Sequence, residues 1–152
     1  MISNIFFVAL LVVAALCAGA ICRADFRRRI IPDVYLFPLM LIGIVITNFF
    51  PYPITPGDGA IAAIFGYAIT AIIGYLFGKF KPQSETPIGM GDIKLIATVG
   101  LWLGTTGLAT SLIVACISGL IWGARKKQKY IPFAPFLIFG GILSLITMMF
   151  LI

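Results

Sequence analysis

The fold class this chain predicts is all-α: a polytopic membrane protein, a bundle of about six transmembrane helices. Three observations carry that expectation. Hydrophobic residues fill 61% of the 152 positions and charged residues only 11%, with a mean hydropathy of +1.13, well outside the range of a soluble globular chain. Long apolar runs follow one another along the chain, separated by short stretches of Pro, Gly and charge. The eleven Lys and Arg sit in short clusters between those runs, the pattern by which a membrane protein sets its topology. The length fits one domain, 1–152. A net charge of +6 is no sign of nucleic-acid binding here, because no solvated basic domain exists to carry it. Cys17, Cys22 and Cys116 form no Cys-x-x-Cys pair and lie in or beside apolar runs, which argues against a zinc site or a disulfide framework. No cofactor or metal is expected.

The first run, residues 2–22, lacks a positive leading region and is followed by Arg23 and Arg27 to Arg29, so a retained helix is expected rather than a cleaved secretory signal. The second, 34–50, ends before Pro51, Pro53, Pro56 and Gly57. The third, 60–78, ends before Lys81-Pro82. The fourth, 91–104, covers only about 21 Å of a hydrocarbon core about 30 Å thick. A tight turn over Gly104-Thr105-Thr106-Gly107 separates it from the fifth, 108–123, and the sixth runs over 131–152. Gly66, Gly74 and Gly78 form a small-residue face on the third helix that permits close packing. Trp102 and Trp122, near helix ends, read as interface anchors.

Six spans make the linkers alternate between the two sides of the membrane. Linkers one, three and five, with their flanks, hold every Lys and Arg, whereas the even linkers hold one charge, Asp58. The positive-inside rule places the odd linkers in the cytoplasm and both termini on the far side.

Among five acidic residues and no histidine, Asp25 and Asp92 stand out. Asp25 follows the first helix and Asp92 begins the fourth, so both fall at the cytoplasmic end, where they can meet if those helices pack together. An ionisable group at or near membrane depth is read as functional by default. Each also has a plainer reading: Asp92 as a helix cap favoured by the dipole, Asp25 as a counter-ion for Arg28 or Arg29. Gly89 and Gly91 count against a plain cap, since they allow backbone conformations or close approaches that a Cβ would block. Asp33, after Pro32, is expected to cap the second helix. Lys94 is expected to snorkel to the headgroups, and the basic clusters to signal topology and touch anionic lipid.

A carboxylate pair points to a reaction class. Two carboxyls held close cannot both ionise cheaply, so one keeps a proton while the other acts as base, as in aspartic proteases. With no histidine there is no triad, and the cysteines lack the paired base of a thiol nucleophile.

Three blocks now bear on family: Asp25-Phe-Arg-Arg-Arg-Ile-Ile-Pro-Asp33, Gly89-Met-Gly-Asp-Ile-Lys-Leu95 and Ile131-Pro-Phe-Ala-Pro-Phe-Leu137. In that order they resemble the signature blocks of type IV prepilin peptidases, intramembrane aspartyl proteases of the Gly-x-Gly-Asp type. The resemblance implies that Asp25 and Asp92 are the catalytic pair, that Gly89 and Gly91 shape the backbone at the second aspartate, and that the segment from Pro132 to Pro135 lines the site. It further implies removal of a short basic leader from type IV prepilins or pseudopilins at the cytoplasmic face of the bacterial inner membrane. Asp33 and Glu85, the other acids on that side, are candidate contacts for such a leader. Family members that also N-methylate the product carry an N-terminal domain with paired Cys-x-x-Cys motifs. This chain looks like the short form similar to Tad/Flp-type peptidases, so methyl transfer is expected to be absent. Partners are then the precursor and the bilayer, without nucleic acid; the oligomeric state is left open.

Two alternatives compete with this reading. A small transport or assembly subunit could use the aspartates for proton relay or charge pairing, but such a protein is expected to carry a charge near the midplane or an internal repeat. A presenilin-like protease shares Gly-x-Gly-Asp but is much larger and lacks the Asp25–Asp33 block.

Overall fold

The computed structural model describes residues 2–80, 88–126 and 131–151. Five helices follow in order: α1 (Ile2–Arg28), α2 (Asp33–Phe49), α3 (Pro56–Phe80), α4 (Met90–Lys126) and α5 (Phe133–Leu151). Four of them are long and apolar enough to cross a membrane, and α2, at 17 residues, is a shorter apolar helix.

Helix limits follow local chemistry, and three differ from expectation. α1 continues to Arg28 instead of stopping at Cys22, because nothing from Arg23 to Arg28 breaks a helix until Pro32 disfavours helical backbone at Ile31. Asp25 therefore lies within the last turns of α1 rather than after it. α3 begins four residues early: Thr55 Oγ1 accepts the Asp58 N–H at 3.3 Å as an N-cap, and Pro56 takes the first helical position, where its missing N–H costs nothing. Gly57, expected to break the chain, is helical.

The third difference concerns the expected six separate helices. The turn foreseen over residues 104–107 contracts to one residue, Gly104, at φ 67° and ψ −173°, inside an otherwise continuous α4. This break reverses the chain. A Cβ on Gly66 of α3 would lie 3.1 Å from Ile96 and 3.0 Å from Leu108, yet twelve residues of straight helix would hold those two side chains about 18 Å apart. α4 therefore folds back on itself. The Asp58 carboxylate satisfies the start of the returning segment, accepting the Thr105 N–H at 3.2 Å and the Thr105 hydroxyl at 2.8 Å.

α3 and the first half of α4 pack closely and antiparallel through small residues. Gly59 faces Leu101, Ala62 faces Gly100 and Gly66 faces Ile96. Of the small face expected on this helix only Gly66 takes part; nothing lies within 4 Å of where a Cβ would stand on Gly74 or Gly78. The other close contacts join α4 to α5, α1 to α2 and α5, and α2 to α3 and α4. Among the described residues the backbones of α1 and α4 do not come close, and the two aspartate helices meet only through side chains, as where Phe26 lies against Trp122. A core running through Ile21, Leu36, Ala62, Leu95 and Leu137 draws on all five helices.

Outside that core the polarity is inverted relative to a soluble protein. Leu16, Val34, Phe49, Phe80 and Phe150 stand at 68% to 88% exposure, which suits lipid. Both tryptophans are tucked into the bundle. Trp102 donates from Nε1 to the Leu39 carbonyl at 3.0 Å, and Trp122 packs edge-on against Phe26 at 5.8 Å.

Candidate active site

One end of the bundle gathers the turn from α1 to α2, the start of α4 and the start of α5. Lys94 meets Asp33, Gly91 meets Ile31, Trp122 meets Phe26, and Ala134 meets Asp25. The described Lys and Arg cluster at this end, and Asp58 lies at the other.

Asp25 is 5% exposed. Its carboxylate sits under the N-terminus of α5, accepting the Ala134 N–H at 2.9 Å and drawing on the Phe133 N–H as well. The first amides of a helix have no partner within it and carry the positive end of its dipole. The block Ile131-Pro-Phe-Ala-Pro thus reaches the site through its backbone. Pro132 is buried just before α5 and Pro135 is half-buried in its first turn, where a missing N–H is harmless. Neither ring lines the aspartate cavity.

Asp92 lies in the first turn of α4, and Oδ2 accepts the Gly89 N–H at 3.2 Å, one half of a capping box. The capping role foreseen for Asp92 is real, and it leaves the other carboxyl oxygen available. Asp25 and Asp92 line one cavity of about 240 Å³, together with Arg29, Ile30, Ile31, Gly89, Met90 and Gly91. Asp25 is near enough across it for its charge to act on Asp92.

The two glycines differ in what they do. A Cβ on Gly91 would stand 2.9 Å from Ile31 Cβ, so this glycine lets α4 approach the α1–α2 turn. On Gly89 a Cβ would meet only Oδ2 of Asp92, at 3.2 Å, and its φ is not left-handed.

Of the two acids considered as leader contacts, Glu85 lies outside the described residues. Asp33 is not at the cavity: it pairs with Lys94 at 2.8 Å, both side chains being well exposed. It is also the first residue of α2 rather than its cap, which is Pro32 and makes no side-chain hydrogen bond. Lys94 is thus held by Asp33 and lies 5.9 Å over the Phe37 ring.

Of the two arginines expected as counter-ions for Asp25, Arg28 or Arg29, it is Arg29 whose charge bears on Asp25, beyond its part in the topology signal. It also lines the cavity. Just past the end of α1 it takes φ 56°, the one left-handed residue other than glycine among those described, and its N–H donates to the Asp25 carbonyl at 3.0 Å. Glycine normally fills such a position. Nothing in the run Arg27-Arg28-Arg29 marks the third arginine as different. Among the described residues no three His, Cys, Asp or Glu side chains converge as a metal site would require.

Comparison with known proteins agrees on one family. The family model described as the type IV leader peptidase family matches residues 5–124. The prepilin leader peptidase/N-methyltransferase of Pectobacterium carotovorum subsp. carotovorum is 32% identical over 129 residues, taking in 80% of this chain and 45% of that protein. The protein of the same name from Burkholderia pseudomallei strain K96243 is 31% identical over 152 residues, 87% of this chain and 46% of that one. That from Pseudomonas aeruginosa PAO1 is 31% identical over 134 residues, 84% and 45%. The chain spans a little under half the length of these curated relatives. No solved structure matches it.

Proposed function

This chain belongs to the type IV leader peptidase family, and on that premise we propose that it is an intramembrane aspartic endopeptidase that removes the leader from type IV prepilins or pseudopilins. The observation that carries the mechanism is the single cavity shared by Asp25 and Asp92.

In this reading Asp25 holds the negative charge, supported by the α5 amides and by Arg29, and Asp92 carries the proton that the pair shares. A water between them loses a proton to Asp25 as its oxygen attacks the scissile carbonyl carbon, while Asp92 gives its proton to the carbonyl oxygen. Collapse of the tetrahedral intermediate breaks the C–N bond. The departing amine takes the proton held by Asp25, the new carboxyl group forms, and Asp92 regains its proton from the intermediate's hydroxyl. A peptide strand entering the cavity must exchange water for protein partners; the open backbone at Gly89 and Gly91 supports such an approach.

The finer placement belongs to the same proposal. The fold-back at Gly104 supports counting α4 as two crossings, hence six in all, with both termini opposite the basic end. The clustered Lys and Arg then support a cytoplasmic active site in the inner membrane. The reading assigns this chain only the peptidase step of the two activities in its relatives' name, since the cavity presents hydrolytic groups.

Co-expression with candidate prepilins tests it. A gel shift from precursor to mature pilin is expected, with an unmethylated new N-terminus by mass spectrometry. An unprocessed precursor for every pilin and pseudopilin tried would overturn the assignment.

A further inference from the structure

On the outward side of α1, facing away from Asp25, a second cavity of about 830 Å³ opens between that helix and the start of α2. Its shape follows from helical register. Positions 15, 19, 23 and 27 form one row at i, i+4 spacing and positions 16, 20, 24 and 28 the row beside it. The upper half of both rows is apolar and mostly small, with Gly19 and Ala20 leaving a trough. In the lower half Arg23, Arg27 and Arg28 replace them, and Tyr35 of α2 closes one wall.

The charge of that lower half is uncompensated. Among the described residues the one salt bridge is Lys94–Asp33, so none of the three arginines has a carboxylate partner there. The described acids are engaged elsewhere: Asp25 with α5, Asp33 with Lys94, Asp58 with Thr105 and Asp92 with Gly89. Basic residues in the last turn of a helix do complement its dipole. That accounts for Arg27 and Arg28, but not for Arg23 a turn further in, nor for the trough above it.

Three guanidinium groups at one end of an apolar furrow describe a particular ligand. A free inorganic phosphate would satisfy the arginines and leave the furrow empty; an apolar helix would fill the furrow and leave three cations unpaired. One molecule does both. We propose that this groove binds one anionic glycerophospholipid, its phosphate held by Arg23, Arg27 and Arg28 and one acyl chain lying along Gly19 and Ala20. Guanidinium groups match phosphate oxygens in paired hydrogen bonds, and basic pockets beside transmembrane helices recognise anionic headgroups. The surrounding face is already built for lipid, with Leu16 at 68% exposure.

Native mass spectrometry of the purified full chain tests the site, comparing phosphatidylglycerol with phosphatidylcholine of the same acyl chains. One phosphatidylglycerol should remain bound under conditions that strip phosphatidylcholine. Retention should fall roughly thirtyfold in the double variant Arg23→Gln/Arg27→Gln, as expected when two charge contacts are removed. Gly19→Leu supplies the second arm. Nothing lies within 4 Å of where its Cβ would stand, so the fold tolerates it, yet the side chain fills the furrow and should also expel the lipid. Equal retention of both lipids, or undiminished retention in the arginine variant, would overturn the proposal. So would normal anion binding in Gly19→Leu with full displacement of phosphatidylglycerol by millimolar inorganic phosphate, which would show a phosphate site. Leader cleavage is a separate readout, so either outcome leaves the peptidase assignment where it stands.

Discussion

At Gly91 the two walls of the aspartate cavity come within a methyl group of each other, since a Cβ there would press on Ile31 at 2.9 Å. Gly91→Val should therefore lower the cleavage rate at least about tenfold, because a shift of a few tenths of an ångström in α4 misplaces Asp92 relative to Asp25. Steady-state assays in detergent, with circular dichroism as the folding control, read this directly. Gly89→Ala should stay within about threefold of wild type, because its Cβ meets only a side-chain oxygen and its backbone is not left-handed. At Arg29 stability and activity should part company. A glycine there relieves a left-handed conformation costing roughly 1–2 kcal/mol but loosens the unfolded chain by a comparable amount. Arg29→Gly should thus unfold near the wild-type temperature while losing most of its activity; full activity would make Arg29 a bystander. The aspartates and glycines could be read from their chemistry and spacing in an apolar chain. For Arg29 only a choice between it and Arg28 as counter-ion could be read, because its left-handed backbone and its place at the cavity depend on where α1 ends and how the chain turns afterwards.

For single elements, legibility tracked how local the governing signal is. The Pro-rich break after α2 was visible as punctuation, whereas the last helix, expected from residue 131, begins at Phe133 just past Pro132. The cap at Thr55-Pro56 was equally local but was masked by the neighbouring glycines, and α1 ran on because arginines do not stop a helix. The turn near Gly104 could be read from the sequence, but its geometry could not, since it rests on Asp58, 46 positions earlier, capping the returning segment. A Cβ on Gly104 would collide with that carboxylate and would need a left-handed φ. Gly104→Ala should therefore destabilise the protein by about 2 kcal/mol or more. Asp58→Ala, which removes the cap alone, should cost about 1 kcal/mol. Thermal unfolding in detergent checks both, and a Gly104→Ala variant as stable as wild type would show that the break does not depend on glycine.

For the molecule as a whole, composition alone announced a membrane bundle, and charge clustering showed which helix ends share a side. The packing that joins Asp25 to Asp92 was out of reach: the backbones of α1 and α4 stay apart, and the α1–α2 turn and the start of α5 bring the two carboxylates together. Such contacts join residues 60 and 109 positions apart and leave no periodic trace. Reporters fused after Pro53 should appear outside the cytoplasm and those after Lys126 inside. A cytoplasmic signal from Pro53 would invert the bundle and move the site to the other face.

The central claim, that the two carboxylates form one catalytic pair, is tested most directly by cleavage of a purified prepilin with Asp25→Asn and Asp92→Asn, singly and together. An amide keeps the shape of the carboxyl but cannot exchange its proton. Each single variant should lose cleavage by at least about a thousandfold, and the double variant should be no worse than either, because groups that act as a unit are not additive. Near-normal cleavage by either single variant, with the protein folded and inserted, would contradict the pair.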